Sequence, residues 1–225
     1  MKGLYTAIGA ILALVSQIRA NLDIITLNTR GDTWIQEASA TLVLGDVPNP
    51  MAGDVALWSA IMMDKRDFLQ GVTENALNSP YCPNLGKKWC NFAYTLVGSQ
   101  VARNGEPVSA APGSRIRTHY NLNPNTNMWD QNLYVDDKLL SSISTSQGQR
   151  GEIFYVSIEC AAGTCSPAPA HTWEDISITL NKADPSFKHN GAWQYKATGG
   201  EMSTADNGKT WNFTTLHIPD TPITG

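Results

Sequence analysis

The sequence predicts an all-β protein, a two-sheet antiparallel β-sandwich of the jelly-roll or concanavalin-like kind, on three observations. Period-two segments divided by turn residues recur from Thr33 to the C-terminus, which is how half-buried strands read. Beyond the first twenty residues no stretch carries the 3.6-residue apolar period of a helix. Charged residues are only 16% of the chain, while Asn, Ser, Thr, Gly and Pro are abundant and there are seven Trp, a balance that suits sheet over helix.

The first segment stands apart. Lys2 precedes the apolar run Leu4–Val15, and Ser16-Gln17-Ile18-Arg19-Ala20 ends in a small residue. That is the layout of a secretory signal peptide over residues 1–20, cleaved after Ala20, leaving one sandwich domain over 21–225. The run is too short for a permanent span and no later stretch is long enough, so no membrane anchor is expected. The expected location is outside the cell or in the lumen of the secretory pathway.

The strands follow in order. Thr33–Leu44 alternates and is stopped by Gly45-Asp46 and the prolines at 48 and 50. Asp54–Met63 is apolar almost throughout, which predicts a central strand buried on both faces. Lys65–Glu74 holds a short strand around Phe68-Leu69-Gln70. Trp89–Val101 is another, with a hairpin signal at Asn104-Gly105. Arg115–Leu122 comes after Pro112-Gly113, and Met128–Ile143 is folded at Asp136-Asp137. Gly151–Cys160 places Phe154, Val156 and Ile158 on one face, and Trp173–Leu180 does the same with Ile176, Ile178 and Leu180. Ala192–Ala197 and Lys209–Ile218 complete the set.

The four cysteines fall into two local pairs, Cys82/Cys90 and Cys160/Cys165. In an oxidising compartment such pairs read as disulfides, and these two bridges are the simplest of the three connectivities. Neither spacing is that of a zinc site, so no metal is expected. Asn212-Phe213-Thr214 is an N-glycosylation sequon at Asn212. The net charge of −4 and the lack of a basic stripe argue against a nucleic-acid partner. No HExxH, P-loop, GxGxxG or nucleophile elbow is present, so no cofactor is expected, and any chemistry must come from isolated polar groups set on strands.

Gln70 and Glu174 form the first candidate catalytic pair. Alternation places Glu174 with Ile176, Ile178 and Leu180 on an apolar face, which suits general-acid work, while a nearby amide can hold a substrate or an oxyanion. The plainer alternative leaves Glu174 in water beyond the sheet and Gln70 capping a turn. A second group is Arg117, His119 and Tyr94, since Arg115, Arg117 and His119 share one strand face that is otherwise a solvated edge. Trp58, Trp129, Trp173 and Tyr134 are candidate substrate-binding aromatics, although aromatic residues more often fill a core.

Two family resemblances bear on these residues. The segment order resembles the fungal glutamic peptidases (eqolisins). It runs through Ala40-Thr41-Leu42-Val43, Leu57-Trp58-Ser59-Ala60-Ile61, Phe68-Leu69-Gln70-Gly71, Pro112-Gly113-Ser114-Arg115-Ile116 and Ala170-His171-Thr172-Trp173-Glu174-Asp175. That resemblance implies a β-sandwich with Gln70 and Glu174 as the catalytic pair and Trp58 as a wall of the cleft. The chain departs from the family in lacking its N-terminal Asn-Trp-Gly-Gly stretch and in the insert bearing Cys82 and Cys90.

The overall character is also similar to the fungal hetero-Diels–Alderases of tropolone–sesquiterpenoid pathways. The features that carry it are the leader, the Cys82–Cys90 loop, Tyr155-Val156-Ser157-Ile158-Glu159-Cys160…Cys165, and the aromatic strands at Trp129, Tyr134, Trp193, Tyr195 and Trp211. This resemblance implies an enzyme without cofactor that holds a quinone-methide diene against an alkene, with small apolar molecules as its partners. It is the leading expectation. The acid peptidase is the alternative, and a secreted glycan-binding module is the third.

Overall fold

The structure is a computed structural model that describes residues 20–223. The expected leader therefore lies, apart from Ala20, outside the described residues. Those residues form an all-β sandwich in which the only helical segment is the 3-10 turn Phe187–His189.

The first sheet is built from β1 (Ala20–Asn28), β3 (Asp54–Met63), β4 (Phe68–Ala76), β5 (Trp89–Val97), β6 (Val101–Asn104), β7 (Val108–Ala110), β11 (Gly151–Ala162) and β13 (Gly191–Trp193). Its order is β13–β1–β11–β3–β4–β5, with β6 and β7 sharing the outer edge of β5. The second contains β2 (Ile35–Val43), β8 (Arg115–Leu122), β9 (Trp129–Val135), β10 (Lys138–Thr145) and β12 (His171–Leu180). It also contains the short strands β14 (Thr198–Gly199), β15 (Met202–Ser203), β16 (Thr210–Phe213) and β17 (Leu216–Ile218). Here the order is β10–β9–β8–β2–β12, with β16 and β17 side by side along β12. The pairings are antiparallel, and the two sheets meet at one corner where Gly151 pairs with Ile35.

The core lies between the sheets. Leu57, Ile61, Phe154, Val156 and Ile158 from the first pack against Leu42, Ile116, Trp129, Leu133, Trp173, Ile176 and Ile178 from the second, all buried. β3 is central, as its sequence predicts. It lies between β11 and β4, and its outer face is covered by aromatic rings: Trp58, Phe68 and Tyr155 meet edge to face with centroids 5.5–6.4 Å apart.

Several elements differ from the sequence reading. β1 is an additional strand, hidden because a bulge between Asp23 and Ile25 buries Ile24 and Ile25 together and breaks the alternation. β4 runs on to Ala76 because Thr73, Glu74 and Asn75 are buried polar residues, which a search for apolar alternation passes over. The hairpin after β5 turns at 98–100, not at Asn104-Gly105, and Asn104 lies inside β6. In place of Ala192–Ala197 there is the short strand β13, and Lys209–Ile218 is split into β16 and β17. The β9–β10 turn falls at Asp136-Asp137, both with positive φ.

Both disulfides form as local pairs, Cys82–Cys90 and Cys160–Cys165. No helix among the described residues is long and apolar enough to cross a membrane. Asn212 is exposed on β16.

Candidate active site

Strand register decides which side chains of the first sheet face away from the core. On β4, Leu69, Gly71 and Thr73 point inward, so Phe68, Gln70, Val72 and Glu74 point outward. Neighbouring strands extend that face in rows. Glu159 of β11, Ala56 of β3 and Glu74 of β4 are in register, as are Ser157, Trp58, Val72 and Phe92, and then Tyr155, Ala60, Gln70 and Tyr94. A cavity of about 180 Å³ opens on this face, with Gln70, Glu74, Glu159 and Asp54 among its polar lining and Trp58, Tyr81, Phe92 and Tyr94 as its aromatic walls.

The polar groups are held firmly. Trp58, 2% exposed, donates its indole N–H to Glu159 Oε2 at 3.0 Å, so a carboxylate oxygen is fixed at the cavity wall. Gln70 is 8% exposed. Glu74 is buried and accepts a short hydrogen bond from Ser79 Oγ, which also accepts from the backbone N–H groups of Tyr81 and Cys82. Burial, reinforced by the charge of Asp54, pushes the Glu74 carboxyl up to about 7 against the pull of Ser79. The Cys82–Cys90 loop thus forms one wall of the cavity, with the Tyr81 ring tilted 34° against Phe92 at a centroid distance of 4.4 Å. Converging polar groups, aromatic walls and one displaced titration mark this cavity as the candidate site.

Larger hollows elsewhere lack that combination. In one of about 300 Å³, Asp32 pairs with Lys182 and the Arg150 guanidinium lies 5.9 Å from the Trp34 ring. Another, of about 590 Å³, contains His171, which is buried and held low, to about 4, by that burial. Among the described residues no three His, Cys, Asp or Glu side chains are grouped as a metal site.

The sequence-derived candidates separate cleanly. Gln70, Trp58 and Tyr94 line the cavity. Glu174 does not. A bulge at Asp175, whose φ is +50°, shifts the register between Glu174 and Ser177, so Trp173 takes the inward position expected for Glu174. The Glu174 carboxylate instead pairs with the Arg115 guanidinium, which also reaches Asp175 at 3.0 Å. Arg117 and His119 occupy the outer face of the second sheet. The Arg117 guanidinium stacks 3.8 Å above the Tyr134 ring, and His119 Nε2 meets Glu37 Oε1 at 2.7 Å. Trp129 and Trp173 are core residues at 0% and 2% exposure.

Sequence reasoning did not single out Glu159 and Glu74. The signal for Glu159 was present: with Phe154, Val156 and Ile158 inward, Tyr155, Ser157 and Glu159 must share the other face.

No protein-family model and no curated protein matches the chain. Among solved structures, the fold is similar to that of scytalido-glutamic peptidase with a transition-state analogue inhibitor. The TM-score is 0.52 at 12% sequence identity, covering 87% of this chain and 98% of that one. At that identity the likeness is one of fold.

Proposed function

We propose that this protein is an acid endopeptidase of the glutamic type whose working pair is Gln70 and Glu159. The observation that carries the reading is the Trp58–Glu159 hydrogen bond, which holds a carboxylate on the cavity that Gln70 also lines. The sandwich shared with a glutamic peptidase supports it. In this reading the Glu159 carboxylate takes a proton from the attacking water and later returns it to the leaving amine. The Gln70 side-chain N–H donates to the oxyanion that develops on the scissile carbonyl. Trp58 keeps Glu159 aimed by occupying one of its oxygens. The two disulfides and the leader-like N-terminus fit a product of the secretory pathway, and the exposed Asn212 would accept a glycan there.

A second reading keeps the pericyclase, favoured by the aromatic walls Trp58, Tyr81, Phe92 and Tyr94. Nothing among the comparisons points to that chemistry, and Trp129 and Trp173, expected to line its pocket, are in the core. Incubation of the purified protein with an acid-denatured protein at about pH 4, near the ordinary carboxylate range, separates the two. Cleavage in the wild type that falls by about 10²–10³ in Gln70→Ala, the scale of a lost oxyanion donor, supports the peptidase. Intact substrate, together with accelerated coupling of a quinone-methide precursor and an alkene, supports the pericyclase.

A further inference from the structure

The face of β4 opposite the cavity is unusual for a sandwich interior because it is polar. The peptide linking Gln70 to Gly71 is gripped at both ends by side chains from the other sheet. Gln131 Nε2 donates to the Gln70 carbonyl, and the Gly71 N–H donates to Tyr120 Oη at 2.8 Å. Tyr120 Oη in turn donates to the Ser59 carbonyl at 2.6 Å and lies 3.1 Å from Ser59 Oγ. Tyr120 and Gln131 are direct cross-strand partners on β8 and β9. Both are 0% exposed, as are Ser59 and Thr95.

The grip is itself supported. Thr95 Oγ1 donates to Gln131 Oε1 at 3.4 Å and lies 3.0 Å from Thr145 Oγ1, which orients the Gln131 amide. Close approach of the sheets makes the contact possible: a Cβ on Gly71 would fall 2.0 Å from Thr118 Oγ1 and 2.6 Å from Thr118 Cβ. Burial pushes the Tyr120 phenol up, so it stays a neutral donor at every relevant pH. Such a group costs stability unless it is fully bonded, and apolar residues would serve the core better. A polar cluster at this one point therefore calls for a reason.

That reason lies on the other side of the sheet. Ser59 follows Trp58, which holds Glu159, and Gly71 follows Gln70. By bridging the Ser59 carbonyl and the Gly71 N–H, one hydroxyl sets the spacing of the two strands that carry the pair. We infer that Tyr120 and Gln131 are positioning residues that clamp the Gln70–Gly71 peptide from beneath and fix where the Gln70 amide enters the cavity that Glu159 also lines. The inference rests on the reading of Gln70 and Glu159 as the working pair.

The test uses Tyr120→Phe, Gln131→Leu and Gln131→Glu in the full chain, each checked for a native circular-dichroism spectrum and melting transition. Tyr120→Phe removes one oxygen and keeps the ring. The expected result is a fall in kcat of about 100-fold, the scale of a roughly 1 Å misplacement, with KM within threefold of wild type. Gln131→Leu is impaired at every pH. Gln131→Glu recovers kcat only where its carboxyl is protonated and can donate to the Gln70 carbonyl, so its activity is lost at lower pH than that of wild type. In ¹⁵N spectra the Gln70 side-chain amide resonances shift in Tyr120→Phe. A folded Tyr120→Phe with kcat within threefold of wild type would overturn the clamp, as would unmoved Gln70 resonances. Failure of the underlying pair registers elsewhere, as an inactive wild type or an active Glu159→Gln, and the resonances then still decide the clamp.

Discussion

Glu74 and His171 are buried titratable groups displaced in opposite directions, and the sign of each sets a pH dependence of stability. The folded chain keeps the Glu74 proton from 4.5 up to about 7, whereas the unfolded chain has released it. This contribution is full below pH 4.5 and is lost as pH rises through about 7. His171, lowered from 6.5 to about 4, contributes stability above pH 6.5 that is lost as pH falls through about 4. At roughly 1.4 kcal/mol per unit, each is worth on the order of 3 kcal/mol across its window, and in the wild type they largely offset one another between pH 4.5 and 6.5. Glu74→Gln should therefore uncover a stability that rises with pH over this window, and His171→Gln one that falls. Urea midpoints at three pH values check both, and a wild-type slope in Glu74→Gln would refute the assignment. Part of the candidate site was legible: Gln70, Trp58 and Tyr94, singled out by pattern and resemblance, line the cavity. Glu174 was misplaced because a one-residue bulge exchanges the two faces of a strand, and single-sequence alternation gives no sign of where a bulge falls.

At the level of elements, the close approach of β4 and β8 makes Gly71 irreplaceable. Gly71→Ala drives its Cβ into Thr118, which is 2% exposed and cannot swing away. Overpacking of this kind costs about 1–3 kcal/mol, and combining Gly71→Ala with Thr118→Gly, which also removes the Thr118 Cβ 2.6 Å away, should cost less than the sum of the two single changes. Additive losses in the double variant would show that the two residues do not clash. The Cys82–Cys90 loop is expected to act locally. Opening a loop this short removes about 2–3 kcal/mol in the chain-entropy account, while Tyr81 loses its fixed place on Phe92. Cys82→Ser with Cys90→Ser should thus raise KM more than it lowers kcat, and an unchanged KM would show that the loop is no wall of the site. The regular strands were legible because one face of each is apolar. β1 and the far half of β4 were not, since a bulge and a run of buried polar residues erase the period on which such a reading depends.

For the molecule as a whole, the sandwich followed from composition and strand spacing, and the structure bears it out, together with both disulfides. The proposed partner of Gln70 did not follow. Glu159 reaches the same cavity only because β11 crosses to lie against β3, and strand order of that kind is set by long-range packing that no local pattern records. On the proposed reading the Gln-and-Glu pairing that the sequence suggested remains, with its carboxylate drawn from β11 and not from β12. The most direct test compares Glu159→Gln with Glu174→Gln in cleavage of a denatured protein at about pH 4, near the ordinary carboxylate range. The account predicts that Glu174→Gln cleaves like the wild type while Glu159→Gln loses about 10²–10⁴ of its rate, the scale of a missing general base. A silent Glu174→Gln beside an active Glu159→Gln would contradict it.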